Sequence, residues 1–252
     1  MSSYYRGPYA GGGMTLAFPP FTPMVKKILW VLAGVFVVQA LLHLAAPDVE
    51  FLVTQALGLN PQLRLQFGYG PPSVPLAVWQ LVTYALLHGG LTHILFNGLG
   101  IWMFGGDVER VLGSRGFLRY FLVCVVGGGL AVVIGGFLTG SLVPVIGASG
   151  GVLGLVLAFA IFFPDRRVFI FPVPFPLPAW VMAIVYGLLN LYGALTPGAS
   201  GVSYAAHLGG LAAGYLYLKG FIKPGGWTNI FRRKKRPFRV IEGRRPGPYD
   251  IN

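Results

Sequence analysis

Four polar side chains stand out in long stretches of the chain that contain no Asp, Glu, Lys or Arg: His93, Asn97, Ser149 and His207. Polar groups are costly in hydrocarbon unless they are paired, so such residues are the first candidates for function in an apolar segment. A histidine within hydrogen-bond reach of a serine can take its proton and activate the hydroxyl for attack. Ser149 and His207 are therefore the candidate nucleophile and base.

His93 and Asn97 are four residues apart and would lie on one face of a helix. Both can present side-chain N–H donors to one point, as acyl transfer requires where the oxyanion develops. Ser149 is predicted to begin a helix, where free backbone N–H groups favour developing negative charge. These residue types together predict nucleophilic acyl transfer.

The acidic residues are informative by their positions, because all seven lie outside the predicted membrane spans: Asp48, Glu50, Asp107, Glu109, Asp165, Glu242 and Asp250. No carboxylate can then orient His207 at depth, which excludes a Ser-His-Asp triad and leaves a dyad. The same absence argues against a proton-coupled transporter, an aspartyl intramembrane protease and an H-E-x-x-H zinc protease. With one cysteine, Cys124, a disulfide or Cys-pair metal site is excluded, and we expect no metal and no cofactor.

The elements that must position these residues are membrane helices. Of 252 residues, 55% are hydrophobic and 10% charged, where a soluble domain carries about a quarter charged residues. Uncharged windows cover residues 28–47, 65–106, 120–164 and 168–218. A span takes roughly 20 residues, which predicts one span in the first window and two in each of the last two. The proline-rich start of the second window predicts a loop followed by a short span from about Gly89 to Phe104, giving six spans.

The basic residues give the orientation. With a cytoplasmic N-terminus, six spans place 18 of the 19 Lys and Arg residues inside, and Arg64 alone outside. We predict a cytoplasmic segment 1–27, a six-helix domain 28–221 and a basic cytoplasmic tail 222–252 without fixed structure, both termini being cytoplasmic. The first span is expected to be an uncleaved signal-anchor. The net charge of +12 is then explained by a tail that touches anionic lipid rather than nucleic acid.

This topology brings the candidate residues to one depth. The second, fourth and sixth spans all run from outside to inside, and each carries its polar residues near the outer end. The fourth span, from Ser149 to Pro164, has 16 residues and a length of about 24 Å, which is too short to cross the bilayer. Ser149 is therefore predicted to lie below the outer surface in a water-accessible cavity.

Small residues predict which helices touch. The fourth and sixth spans each carry two glycines four residues apart, and such pairs let helix backbones approach closely. A contact between these faces would bring His207 toward Ser149. The glycines are Gly150 and Gly154, then Gly210 and Gly214.

Each residue also has a purely structural interpretation. Membrane serines usually bond to their own helix, asparagine and histidine often join helices, and glycines are common in membrane spans. Convergence of four residues at one depth favours a site. His88 is interpreted as structural and Cys124 as a small packing residue. The stretch 147–151 matches G-x-S-x-G, but its uncharged surroundings lack the strand-turn-helix context of that motif.

The sequence resembles the rhomboid intramembrane serine proteases over roughly residues 28–220. The motifs that carry the resemblance are Gly147-Ala148-Ser149-Gly150, His88-x4-His93-x3-Asn97, Glu109-Arg110-Val111-Leu112-Gly113-Ser114 and Ala206-His207-x2-Gly210-x3-Gly214. The resemblance implies an all-α six-helix membrane bundle and a Ser149–His207 dyad. It also implies an oxyanion hole formed by His93, Asn97 and the Ser149 backbone N–H.

Two further features are implied by the resemblance. The loop from Pro47 to Gln80 would lie partly in the outer leaflet, and the fifth span with the loop near Thr196 to Ser203 would form a mobile gate. Two departures from the family pattern are visible. Gln80 follows Trp79 where members often have an arginine, and Leu153 stands where an aromatic ring commonly stacks on the catalytic histidine.

The sequence therefore predicts an intramembrane serine endopeptidase of the bacterial inner membrane that cleaves single-span or multi-span membrane proteins near the outer face. The supporting residues are Gly147, Gly150, Leu153, Gly210 and Gly214. The alternative is a catalytically silent relative that binds or chaperones membrane proteins through the same fold.

Overall fold

The computed structural model describes residues 19–65, 74–75, 77–140, 143–169, 175–196 and 204–221. These parts of the chain are mostly helical. The α-helices are α1 (Pro23–Ala45), α2 (Pro47–Leu57), α3 (Gln80–Thr83), α4 (Leu91–Thr139), α5 (Ser149–Phe162), α6 (Ala179–Leu195) and α7 (Tyr204–Phe221). A single 3₁₀ turn, Tyr84–Leu86, follows α3.

The described residues also include four two-residue strands, so the expectation of an all-α fold needs a small correction. Strand β1 (Arg64–Leu65) pairs antiparallel with β2 (Val74–Pro75), and β3 (Arg167–Val168) pairs with β4 (Leu177–Pro178). Both pairs lie in connections between helices. Pairing satisfies backbone N–H and C=O groups there, which a connection near hydrocarbon cannot leave open.

Helix α4 contains two predicted spans in one 49-residue element, interrupted at Gly113 by φ 72° and ψ 159°. A residue with a side chain is strained at this positive φ, and glycine is not. Gly105 and Phe117 lie on opposite sides of the break, yet a Cβ at Gly105 would come within 3.2 Å of the Phe117 ring. The two halves therefore fold back on each other.

The helix that contains the predicted short second span extends beyond the predicted end of that span near Phe104, because helical structure continues to Gly113. The charged residues 107–119 are part of the two halves instead of forming a separate loop. A charge-free window marks what lies in hydrocarbon, whereas backbone hydrogen bonding can continue beyond it.

Two helices, α1 and α4, are long and apolar enough to cross a membrane, and α5 and α6 are shorter apolar helices. Large apolar side chains cover the outside of the bundle: Trp30, Leu41, Leu44, Phe96, Phe137, Leu138, Leu188 and Leu195 are all more than half exposed. In water such a surface would be very unfavourable. Its composition suits contact with lipid.

The centre of the fold is α5. Most of its residues are buried, including Leu153, Leu155 and Phe159, and it packs against both halves of α4. Helix α6 differs, because its buried residues are only Ala179, Met182, Asn190 and Gly193. The site described below is thus built on a well-packed central helix with a lightly packed helix beside it.

The chain divides into two compact units, Met1–Tyr217 and Leu218–Asn252. All contacts discussed here lie within the first unit. Of the predicted flanking segments, residues 1–18 of the N-terminal segment and the whole tail 222–252 fall outside the described residues, as do residues 197–203 of the predicted gate loop. The predicted domain boundaries stay predictions.

Candidate active site

Ser149 and His207, which are 58 residues apart in sequence, are joined by a hydrogen bond. The Ser149 Oγ lies 2.7 Å from the His207 Nε2. Ser149 is the first residue of α5, and His207 lies in the first turn of α7. The arrangement gives a hydroxyl with an adjacent base, at a helix end where free N–H groups favour negative charge.

Glycines allow the two helices to meet at backbone distance. A Cβ at Gly210 would lie 2.2 Å from the carbonyl oxygen of Gly150, and a Cβ at Gly150 would lie 2.9 Å from the Ala206 carbonyl oxygen. Helices α5 and α7 therefore touch within one turn of Ser149 and His207. A side chain at either glycine would separate the serine from the histidine.

The second glycine pair, Gly154 and Gly214, has a different neighbour from the one expected. A Cβ on Gly154 would lie 2.3 Å from the Sγ of Cys124, and a Cβ on Gly214 would lie 3.0 Å from the same sulfur. The cysteine of α4 thus occupies the space that both glycines leave open. Tyr120 of α4 also lies here, with its hydroxyl oxygen 2.6 Å from a Cβ on Gly214, while a Cβ on Gly154 would still lie 3.6 Å from the Gly210 carbonyl oxygen of α7.

The segment before Ser149 is held by backbone bonds. The Val145 N–H donates to the Leu59 carbonyl oxygen, and the Leu59 N–H donates to the Val145 carbonyl oxygen, each at 2.9 Å. The Gly147 N–H donates to the Tyr84 carbonyl oxygen at 2.9 Å. Gly147 itself has φ 119°, which a residue with a side chain rarely adopts. Protein groups therefore satisfy the backbone of Val145 and the N–H of Gly147 in this non-helical segment before Ser149, in keeping with its predicted depth.

His93 faces that segment. The Gly89 N–H donates to the His93 Nδ1 at 3.3 Å, which leaves the proton of the neutral ring on Nε2. A Cβ at Gly147 would lie 2.5 Å from this Nε2. Gly147 thus lets the His93 ring come close to the chain two residues before Ser149, with an N–H donor on that side of the ring.

Asn97 lies one turn further along α4 and is 4% exposed. Its Nδ2 donates to the His93 carbonyl oxygen at 3.0 Å, within the same helix. An amide nitrogen carries two protons, so a second N–H is left for another acceptor. The geometry orients the Asn97 amide, while its predicted oxyanion role stays a prediction.

Asn190 is a site residue that the sequence analysis missed. Its Oδ1 lies 2.5 Å from the His207 Nδ1, on the opposite edge of the ring from Ser149. It is the single asparagine in the uncharged window 168–218, and that isolation was the available signal. Leu153 is 9% exposed within the packed face of α5 and offers no ring to His207.

His88 precedes α4 and is 4% exposed. Its ring meets that of His93 edge to face, with centroids 5.0 Å apart, and its backbone N–H donates to the Gln39 Oε1 at 3.1 Å. Burial, and next the nearby His93, lower the pKa of His88 from 6.5 to about 4, although its bond to the Leu86 carbonyl raises it. A neutral ring supporting His93 agrees with its structural interpretation.

Gln80 holds the first loop, where the family pattern often has an arginine. Its Oε1 accepts the Asn60 N–H at 3.0 Å, and its Nε2 donates to the Gln55 carbonyl oxygen at 3.1 Å. Trp79 adds a bond from its Nε1 to the Ala56 carbonyl oxygen at 2.9 Å. The loop is therefore anchored by a neutral carboxamide.

Comparison with known proteins identifies the family. The Rhomboid domain model matches residues 75–224, which is more than half of the chain. The protein belongs to the rhomboid family. As a rhomboid it is an integral membrane protein. Three curated relatives extend the comparison.

Rhomboid protease GlpG of Enterobacter sp. is 35% identical over 114 residues, which cover 45% of this chain and 38% of that protein. Rhomboid protease GluP of Bacillus subtilis is 33% identical over 141 residues, 54% of this chain and 25% of the relative. Rhomboid protein 1, mitochondrial, of Saccharomyces cerevisiae is 30% identical over 147 residues, 54% and 40% respectively. The matched region thus spans less than half the length of each of these relatives.

Proposed function

We propose that this rhomboid is an intramembrane serine endopeptidase that hydrolyses peptide bonds of membrane-spanning proteins. The observation that carries the proposal is the 2.7 Å contact between the Ser149 Oγ and the His207 Nε2. Both residues lie on helices whose outer surroundings are apolar.

In the proposed reaction the Ser149 Oγ attacks the carbonyl carbon of the scissile peptide bond while its proton passes to the His207 Nε2. The tetrahedral intermediate collapses when the C–N bond breaks, and the same proton leaves on the amine. The acyl group is then bound to Ser149 as an ester. A water molecule that gives one proton to the His207 Nε2 attacks this ester. The bond to the Ser149 Oγ then breaks, the carboxylic acid product leaves, and His207 returns the proton to the Oγ.

The negative charge of each tetrahedral intermediate needs donors that are already in place. We assign this part to the His93 Nε2–H, the free N–H of Asn97 and the backbone N–H of Ser149. The Gly89–His93 bond supports the first donor, since it leaves the proton on Nε2. The position of Ser149 at the start of α5 supports the third.

The proposed topology has six spans with both termini in the cytoplasm. The spans are α1, the two halves of α4, α5, α6 and α7, and the positive residues of the sequence then lie almost entirely inside. Ser149 would face the outer side of a bacterial inner membrane, below its surface. Substrates of single or multiple spans would enter from the bilayer, with no metal and no cofactor.

Labelling with a serine-directed fluorophosphonate tests the proposal on the full chain in detergent. We expect one labelled peptide containing Ser149, located by mass mapping, and no label on the Ser149→Ala variant. Folded wild-type protein that resists labelling would indicate the silent, substrate-binding relative instead. Label on another serine would refute the assignment of Ser149.

A further inference from the structure

The His207 ring is held from the side that faces away from the nucleophile. Its Nδ1 lies 2.5 Å from the Asn190 Oδ1, and its Nε2 lies 2.7 Å from the Ser149 Oγ. Three side chains from α5, α7 and α6 therefore form one continuous hydrogen-bonded row. The reaction as proposed above uses only two of them.

The Asn190 amide can present only its oxygen to the histidine. Its Nδ2 donates to the Tyr186 carbonyl oxygen at 2.7 Å, one turn back along α6, so the Oδ1 is the atom directed at His207. An oxygen acceptor requires a proton on Nδ1. The neutral ring then has its lone pair on Nε2, which is the form that can accept the Ser149 proton.

We propose that Asn190 is a positioning residue, whose carboxamide oxygen selects the tautomer and orientation of His207 that make Ser149 reactive. This inference rests on the proposed protease function. Asn190 acts through the histidine and does not touch the reacting atoms. A buried carboxylate has this task in a Ser-His-Asp triad, and here a neutral group performs it without placing a charge in the membrane.

The surroundings of the ring agree with this division of tasks. The Tyr204 ring stands at 86° to the His207 ring, with centroids 6.4 Å apart. It therefore limits the sideways movement of the His207 ring. The Tyr204 ring packs against Gly193 of α6, where a Cβ would lie 2.3 Å from it. The lack of a side chain at Gly193 therefore gives the ring its space. Helix α6 therefore supplies both the acceptor at Asn190 and the space at Gly193.

Three variants of the full chain separate positioning from packing. Asn190→Leu keeps the branched shape and the number of side-chain heavy atoms and removes the acceptor, whereas Asn190→Asp keeps an acceptor oxygen at the same place. Leu189→Ala is the matched control, because Leu189 is the preceding residue of α6 and 59% exposed. Each is assayed for kcat and KM on one membrane-spanning substrate, and for its rate of fluorophosphonate labelling.

We expect Asn190→Leu to lower kcat and the labelling rate roughly 10- to 100-fold, the worth of one to two lost hydrogen bonds, with KM changed less than about twofold. Asn190→Asp should recover most of that loss, and Leu189→Ala should behave like the wild type. Packing as the only role would leave Asn190→Leu active and would overturn the inference. Equal loss in the Leu and Asp variants would also overturn it. A wild-type protein without labelling would instead refute the proposed protease function.

Discussion

Two polar clusters among the described residues, one around the buried Glu109 and one around the half-buried Ser149, use their hydrogen-bonding capacity differently. Around Glu109, which is 3% exposed, both carboxylate oxygens are fully engaged. The Oε1 accepts the Met24 N–H at 3.0 Å and the Ser114 hydroxyl at 2.5 Å, while the Oε2 accepts the Val25 N–H at 3.0 Å and the Thr22 hydroxyl. Around Ser149, by contrast, one hydroxyl bonds one ring nitrogen.

The difference separates a structural cluster from a chemical one. Glu109 satisfies N–H groups in the first turn of α1 that no residue of α1 can satisfy, and so joins α1 to α4. Nothing further can bind there. The Ser149 hydroxyl retains acceptor capacity, and in the proposed reaction a substrate carbonyl would add to this cluster. Spare hydrogen-bonding capacity at a packed helix contact is the feature to look for in an intramembrane site.

The largest loss of activity is expected from substitutions of Ser149 and His207. If the proposed function is correct, we expect Ser149→Ala to lower kcat by about 10⁶-fold, as loss of the serine does in soluble serine proteases, and His207→Ala to do nearly the same. Both variants should retain the thermal unfolding midpoint of the wild type within a few degrees, because each removes few contacts. Cleavage of a membrane-spanning substrate is followed by gel. Proteolysis that survives in purified Ser149→Ala would refute the nucleophile assignment.

The next largest loss of kcat is expected from substitutions of the proposed oxyanion donors of α4, His93 and Asn97. Asn97→Ala should lower kcat by about 10²- to 10³-fold, the usual cost of one oxyanion donor, and leave measurable turnover. Asn97→Asp is the harsher companion, since a carboxylate would repel the oxyanion. Steady-state cleavage with purified enzyme measures both. Wild-type turnover in a His93→Ala, Asn97→Ala double variant would remove the oxyanion role from α4 altogether.

A substitution in the Glu109 cluster should lower the free energy of unfolding and leave the activity of the folded protein unchanged. Glu109→Gln replaces an acceptor oxygen by an NH₂ group that faces N–H and O–H donors, and we expect a loss of about 3 kcal/mol in the free energy of unfolding. In mild detergent at low temperature, the folded fraction should keep a wild-type kcat. Asp48→Asn, at an exposed acid of α2, is the control. Lost turnover with unchanged stability would contradict a purely structural role for the Glu109 cluster.

Of the substitutions considered, one at Gln80 should have the smallest effect, and it should act on the local stability of the first loop. Gln80→Ala leaves the Asn60 N–H without its acceptor and should cost about 1 kcal/mol, mostly as local opening of the loop. Hydrogen exchange should show the Asn60 amide exchanging roughly fivefold to tenfold faster, with amides of α5 unchanged. The conservative Gln80→Glu variant retains the acceptor and should preserve Asn60 protection. Uniformly faster exchange would make Gln80 a residue of global stability.

An apolar background makes a polar residue conspicuous in the sequence. Ser149, His207, His93 and Asn97 are predicted as site residues because uncharged windows surround them, and the structure places the Ser149 Oγ next to the His207 Nε2. Asn190 lies in such a window too, yet its relation to His207 depends on how α6 packs against α7. Helical periodicity relates residues within one helix and carries no information about the neighbour of a different helix.

Glu109 illustrates the other limit. Its charge placed it outside the predicted spans, and that pattern could not show that it caps a helix 84 residues earlier in the chain. The helix that contains the predicted second span continues past Phe104 for a related reason. Hydropathy reports the solvent that a segment meets, whereas helix ends depend on backbone bonding and on one glycine at a positive φ.

The burial of Cys124 makes the protein a convenient subject for spectroscopy. Its thiol is fully enclosed between α4, Gly154 and Gly214, and the sequence contains no other cysteine. A reagent cannot reach this sulfur while the bundle stays folded. A cysteine introduced on the lipid-facing side of α6, for example at Leu188, would therefore take up a spin label or fluorophore alone, on a chain that needs no cysteine removed.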